Sequence, residues 1–325
     1  MIKINNRIFF SEKKPPTLIA EISANHCGSK NLFLKHIRSA AKSGADMIKI
    51  QTYEPLDITV NSSEEIFKIK KGIWKGKNYW DLYKKACTPF EWHKDAFLLA
   101  KKLKIILFST PFSDRAVDLL EKFKVPLYKI SSFEITDYSL IKKIAATKKP
   151  VILSTGMASE KEIKNAIKII KKYHNKIIIL YCVSGYPTPE HEANVSTIPL
   201  LKNKLKTNLV GLSDHTNSIN TTLASISFKI VAVEKHFKLS NKIKSEDSKF
   251  SITPKEFKNL KKLSQIFFNC LGKPKKFIKE SEKQSLKFRR SIFSKKKIKT
   301  GEKITKKKKT LAPKSSFIIS YEAFV

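Results

Sequence analysis

Eight short apolar runs, most of them separated by an amphipathic stretch, constrain this chain more than any other feature of its sequence. The runs cover residues 17–23, 45–52, 105–109, 127–131, 151–154, 177–183, 208–213 and 230–236. Apolar residues recur at helical spacing over 32–43, 92–102, 113–123, 138–147, 160–173 and 218–228. Each connection is long enough for a crossover helix, which parallel strands require. Strands alternating with helices predict a parallel α/β sheet, and eight such units predict closure into a (β/α)₈ TIM barrel. The 325 residues suffice for that barrel and a small appendage.

Every run ends in polar or charged residues: Glu21, Lys49 with Gln51, Ser109 with Thr110, Lys129 with Ser131, Ser154, Cys182 with Ser184, Ser213 with His215, and Glu234 with His236. The carboxyl ends of barrel strands carry the active site. Lys49 and Gln51 are two residues apart on one run and point to the same face, as do Glu234 and His236. Such pairs are costly in an apolar barrel core unless they are paired or used. A solvated rim explains one such end; eight in succession point to a reactive face.

On that face His215 and His236 end the adjacent seventh and eighth strands. Neighbouring strands lie about 5 Å apart, so the rings can converge on one metal ion or form a structural or acid–base pair. Two imidazoles with room for water or substrate oxygens suit Mn²⁺, Co²⁺ or Zn²⁺ as a Lewis acid. Glu21 and Glu234 can complete the metal surroundings or move protons. Lys49 and Lys129 end strands two and four, and two ammonium groups at one mouth imply a phosphate or carboxylate ligand. Thr110, Ser131, Ser132, Ser154 and Ser213 supply neutral donors. A Schiff-base lysine is the competing role. No GxGxxG or P-loop pattern supports a dinucleotide or ATP. The set suits carbon–carbon bond formation between an anionic donor and a carbonyl acceptor.

The formal net charge is +37. A nucleic-acid or anionic-membrane partner is one reading, and a general compositional bias toward lysine is the other. The lysines are spread along the whole chain and arginine, the usual base-reading residue, is scarce, which favours the second. Cys27, Cys87, Cys182 and Cys270 form no CxxC pair, which argues against a thiolate metal site or disulfide framework and for a reduced, cytoplasmic setting. Neither a signal peptide nor a membrane span is expected. Segment 54–89, with Trp74, Tyr79, Trp80 and Tyr83, is a long insertion that forms a lid, a wall of the substrate pocket, or simple packing on the rim. After His236, residues 254–271 read as a further amphipathic helix stopped by Gly272, completing a barrel domain over 1–271. A basic linker over 272–287 and a small β-rich appendage over 288–325 follow, with a disordered basic tail as the alternative.

The segments AEISANHCGS (20–29), ADMIKIQTY (45–53), FSTPFS (108–113), YKISSFEI (128–135), ILSTGMA (152–158), CVSGYPTP (182–189), GLSDHT (211–216) and VEKHF (233–237) run in order across the predicted barrel. Together they resemble the sialic acid synthase (nonulosonic acid synthase) family. GIWKGKNYWDLYKKACTPFEWH (72–93), ISSFEI, Ser184 and EDSKFS (246–251) resemble its pseudaminic acid synthase branch. The resemblance implies a transferase that condenses phosphoenolpyruvate with an open-chain N-acyl amino sugar. In that branch the acceptor is 2,4-diacetamido-2,4,6-trideoxy-L-altrose; the N-acetylneuraminate and legionaminate branches are the alternative. It also implies that His215 and His236 hold a divalent ion, Mn²⁺ first with Mg²⁺ or Co²⁺ as alternatives, that orients the acceptor aldehyde. C3 of phosphoenolpyruvate attacks that carbon, water traps the oxocarbenium at C2, and phosphate leaves by C–O cleavage. Lys49, Thr110, Lys129, Ser131, Ser132, Ser154, Ser184, Ser213 and His215 match positions around phosphoenolpyruvate. Glu21, Gln51, Glu134, Tyr186 and Asp247 match the acceptor or metal surroundings, with Glu134 on a sugar hydroxyl and Glu234 positioning water. The tail resembles the first part of the antifreeze-like (SAF) domain, which in the family reaches over the partner's active site in a homodimer. The family's leucine–arginine–proline–glycine stretch, whose arginine contacts the N-acyl group, is here Leu311, Ala312, Pro313 and Lys314. A shortened cap without that arginine is therefore expected. No membrane and no specific nucleic-acid partner is implied.

Overall fold

The computed structural model describes residues 1–313. Lys314 and the remainder of the expected cap to Val325 lie outside the described residues. The chain divides into two units, Met1–Leu271 and a second that begins at Gly272.

The first unit opens with an antiparallel hairpin, β1 (Ile2–Ile4) and β2 (Arg7–Phe10). Eight parallel strands follow: β3 (Thr17–Glu21), β4 (Met47–Thr52), β5 (Ile106–Pro111), β6 (Tyr128–Ile130), β7 (Val151–Ser154), β8 (Ile177–Cys182), β9 (Val210–Asp214) and β10 (Ala232–His236). They close in sequence order, with β10 pairing back onto β3, so the eight runs form the predicted barrel. The surrounding helices are α1 (Lys30–Lys42), α2 (Tyr79–Ala86), α3 (Trp92–Lys102), α4 (Asp114–Lys122), α5 (Tyr138–Ala146), α6 (Glu160–Lys171), α7 (Thr197–Lys204), α8 (Asn220–Ile226) and α9 (Pro254–Leu271). Side-chain caps start several of them. Ser29 accepts the Leu32 N–H, Asp137 the Leu140 N–H, and Ser159 with Glu162 forms a reciprocal capping box. Each satisfies an amide that a helix start leaves without a partner.

Strand parity sorts the core into two clusters. Leu18, Ala20, Ile48, Ile50, Leu107, Tyr128, Ile130, Val151, Leu153, Ile177, Ile179, Val210, Leu212 and Val233 belong to the cluster beneath the helices. Ile19, Met47, Phe108, Leu127, Ile152, Ile178, Leu180 and Ala232 fill the barrel interior together with Ile2, Ile4 and Phe10 of the hairpin. The period of two along each strand produces this division. The hairpin and α7 were not legible in the sequence. The hairpin works as an apolar plug, and its three buried side chains contribute about 1.5–3 kcal/mol each.

In the second unit, β11 (Arg290–Ser294) and β12 (Lys309–Pro313) pair antiparallel, with Ala312 opposite Ser291. This is the expected β-rich element. The stretch before it is exposed and contains a short helix, α10 (Glu280–Lys283). Among the described residues, no helix is long and apolar enough to cross a membrane.

Candidate active site

The interior parity that begins with apolar residues continues into polar ones toward the carboxyl ends of the strands. Register then decides which of them meet. Glu21 lies opposite both Lys49 and His236, Gln51 opposite Thr110, and Ser213 opposite both Cys182 and Glu234. They surround the floor of a cavity of about 530 Å³ at that end of the barrel.

Lys49, Gln51, Thr110, Lys129, Ser131, Ser132, Glu134, Ser154, Tyr186, Ser213, His215, Glu234, His236 and Asp247 all line this cavity. Glu21 and Ser184 do not. Glu21 is fully buried behind Lys49, with Oε2 2.8 Å from its Nζ, and accepts from Gln51 Nε2 at 3.2 Å. Ser184 Oγ lies 2.9 Å from Ser132 Oγ and orients that hydroxyl. Both therefore support residues that reach the cavity. The insertion contributes Ile58, Ile69, Trp74, Tyr79, Leu82, Tyr83 and Ala86 as one wall, while Trp80 stays away from the cavity. Ser23, Phe112, Glu246 and Phe250 also line the cavity and were not singled out from sequence. Glu246 and Phe250 had one available signal, their place in the EDSKFS segment with Asp247.

The two lysines are compensated by two carboxylates. Lys49 Nζ is 2.8 Å from Glu21 and 3.6 Å from Glu234 Oε1, and Lys129 Nζ is 3.7 Å from Glu234 Oε2. Burial pushes Glu21 up to about 7 against the pull of Lys49. Glu234 resists burial: the Lys129 and Lys49 ammonium groups hold it below the ordinary carboxylate value. Burial pulls Lys129 down, whereas Glu21 and Glu234 outweigh burial at Lys49 and raise it. Glu134, in contact with Ser131 Oγ, is pushed up to about 7 by burial.

The histidine rings stand 5.4 Å apart, centroid to centroid. His215 Nδ1 lies 2.9 Å from Val183 O, so the neutral ring carries its proton on Nδ1 and leaves a lone pair on Nε2. Burial, reinforced by the neighbouring His215, holds His236 well below the usual imidazole value, so it is neutral near pH 7. Among the described residues its Nδ1 is buried without a hydrogen-bond partner and lies 3.7 Å from Asp247 Oδ2. Ser154 Oγ and Glu234 Oε2 are likewise buried without hydrogen-bond partners. Buried polar atoms of this kind are costly unless a ligand meets them. Among the described residues no three His, Cys, Asp or Glu side chains are grouped to hold a metal unaided. His215 and His236 are the two imidazoles here that would hold a divalent ion, and Asp247 lies beside the His236 ring.

The NeuB family profile matches residues 36–276. Pseudaminic acid synthase from Campylobacter jejuni is 41% identical over 294 residues, covering 90% of this chain and 85% of that protein. The pseudaminic acid synthase of Helicobacter pylori is 40% identical over 295 residues, with coverage of 90% and 86%. Among solved structures, the N-acetylneuraminic acid (sialic acid) synthetase from Leptospira borgpetersenii, in complex with citrate, matches with a TM-score of 0.78. It is 30% identical and covers 87% of this chain and 94% of that one. The closed barrel, its polar mouth and these likenesses agree: the chain belongs to the NeuB, or sialic acid synthase, family and is closely related to pseudaminic acid synthases.

Proposed function

We propose that the chain condenses phosphoenolpyruvate with 2,4-diacetamido-2,4,6-trideoxy-L-altrose, releasing phosphate, as a pseudaminic acid synthase. The observation that carries this reading is the convergence of Lys49, Lys129, His215 and His236 on one cavity with unmet polar atoms at Ser154, Glu234 and His236. The two relatives named for that activity support the choice of acceptor.

In this reading Lys49 and Lys129 hold the phosphate and carboxylate charge of phosphoenolpyruvate. Thr110, Ser131, Ser132, Ser154 and Ser213 donate hydrogen bonds to it. Glu21 keeps Lys49 in place and Ser184 orients Ser132. Gln51, Glu134, Tyr186 and Asp247 surround the acceptor. His215 and His236 would hold the divalent ion, which when bound polarises the acceptor aldehyde as a Lewis acid. C3 of the donor bonds to the aldehyde carbon, and the aldehyde oxygen takes a proton. Glu234 orients the water that adds to C2, and the C2–O bond to phosphate then breaks to leave the ketone. Lys49, kept charged by Glu21 and Glu234, is a poor Schiff-base nucleophile, and carbonyl activation by an ion makes that role unnecessary for either lysine.

The test is phosphate release by purified protein with phosphoenolpyruvate and a panel of candidate acceptors, in Mn²⁺ and in chelator. Release should require both substrates and stop with chelator. His236→Ala should abolish it and weaken Mn²⁺ binding read by electron paramagnetic resonance. Full-rate release without a sugar overturns the reading. The likeness to a sialic acid synthetase favours one second reading, an N-acetylneuraminate or legionaminate synthase, which faster turnover of those precursors would select. A homodimer capped by the partner's tail belongs to the same proposal, and the mass of the active species by light scattering tests it.

A further inference from the structure

We propose that the insertion between β4 and β5 is the acceptor-selecting wall of the cavity, that Glu246 positions it, and that the wall favours a deoxy, N-acylated sugar. The inference rests on the reading of this cavity as the condensation site and adds to it which residues choose the acceptor.

The cavity has two chemically different faces. The barrel mouth is charged and rich in hydroxyls. The opposite wall presents Ile58, Ile69, Trp74, Tyr79, Leu82 and Tyr83. At about 530 Å³ the space suits a ligand much larger than a three-carbon phosphate. Three of the wall's side chains are aliphatic. The indole N–H of Trp74 is already committed, donating to Glu246 O at 3.0 Å. A sugar hydroxyl placed against the aliphatic side chains of this surface exchanges water for a poor partner, whereas a C-methyl or acetyl methyl group gains burial.

Glu246 ties the start and the end of α2 to the barrel: Lys77, just before the helix, and Lys85, in its last turn, both pair with the Glu246 carboxylate, Lys85 at 2.8 Å. Glu246 is 7% exposed, while the two lysines are 41% and 64% exposed. The carboxylate is buried in the barrel mouth, and the two lysines reach it from the exposed side. Asp247, next in sequence, accepts from Ala24 N at 3.2 Å and faces His236. The Trp74 ring packs 5.9 Å from Tyr186 and 6.3 Å from Phe250, and Phe250 packs 4.8 Å from His236. Glu246 therefore registers the apolar wall against the histidine floor.

Because the lysines are exposed, Glu246→Gln loosens the wall by removing its two ion pairs without stranding a buried cation, so the variant should fold. Phosphate release is measured with phosphoenolpyruvate and two N-acylated acceptors that differ only in a terminal methyl or hydroxymethyl group. The wild type should prefer the methyl form by about 10–100-fold in kcat/KM. Glu246→Gln and Trp74→Ala should raise the acceptor KM about fivefold or more and shrink that preference, with the KM for phosphoenolpyruvate nearly unchanged. Glu246→Asp should restore both, since flexible lysines can follow a shorter carboxylate. Raising salt to about 0.5 M should increase the acceptor KM of the wild type and leave that of Glu246→Gln unmoved. If Glu246→Gln alters both KM values alike and keeps the preference, the inference falls while the condensation stands. If the wild type turns over no acceptor, both fall together.

Discussion

Lys235→Met should be among the most damaging single substitutions in the barrel, although the side chain lies outside the cavity. Lys235 is fully buried between β9 and β10, with Nζ 3.0 Å from Asp214 Oδ2 and 2.6 Å from Thr216 O. Asp214 also accepts from Thr216 N at 2.9 Å, Thr216 Oγ1 at 2.8 Å and Thr222 Oγ1 at 2.6 Å. Methionine nearly preserves the volume, so the cavity contribution is small. What remains is a buried carboxylate that keeps three donors and loses its only ion-paired lysine among the described residues. Removing one member of a buried pair costs about 3–5 kcal/mol. Asp214→Asn should cost less than this, because burial already pulls the Lys235 ammonium below its ordinary value and it can release its proton. Asp214→Asn combined with Lys235→Met should then cost about 1–3 kcal/mol less than the sum of the singles. Urea unfolding followed by tryptophan fluorescence measures all three, since Trp74, Trp80 and Trp92 all lie in the Met1–Leu271 unit. A Lys235→Met cost below about 1 kcal/mol, or strict additivity, refutes the argument. The pair matters for function because its two strands present Ser213, His215, Glu234 and His236 on the opposite parity.

Two further outcomes follow from the site. Gly156 has φ +47°, and a Cβ there would lie 2.3 Å from Ser132 Cβ and 2.6 Å from Ser184 Oγ. Gly156→Ala should therefore push apart the serine pair and raise the KM for phosphoenolpyruvate about tenfold, at a stability cost of about 1–3 kcal/mol; an unchanged KM counts against that role for Ser132. Burial raises Glu134 from 4.5 to about 7. A carboxyl raised in the folded state stabilises fully below its unfolded value and loses that contribution as pH rises through the folded one, here between about 4.5 and 7. Glu134→Gln should flatten that part of the stability profile by about 1–3 kcal/mol, and melting curves that run parallel for the two proteins across this window would show the account wrong.

The sequence by itself determined the barrel and the composition of its mouth. Both follow from local rules: a period of two sends Lys49, Gln51, Lys129, Ser213, His215, Glu234 and His236 inward, and apolar residues at the other parity hold the helices. Closure of the sheet then makes all strand ends neighbours. The tertiary structure alone decided how those groups are paired and charged. Glu21 looked like a substrate contact and lies behind Lys49, because the two meet only across the β3–β4 register. Glu246 was legible only as part of the EDSKFS segment, and its carbonyl receives an indole N–H from 172 residues away. The hairpin plug, the Lys235–Asp214 pair and the elevated Glu21 and Glu134 share that origin. Each depends on which distant side chains exclude water from a given atom, and desolvation is a property of the folded surroundings that no local pattern carries.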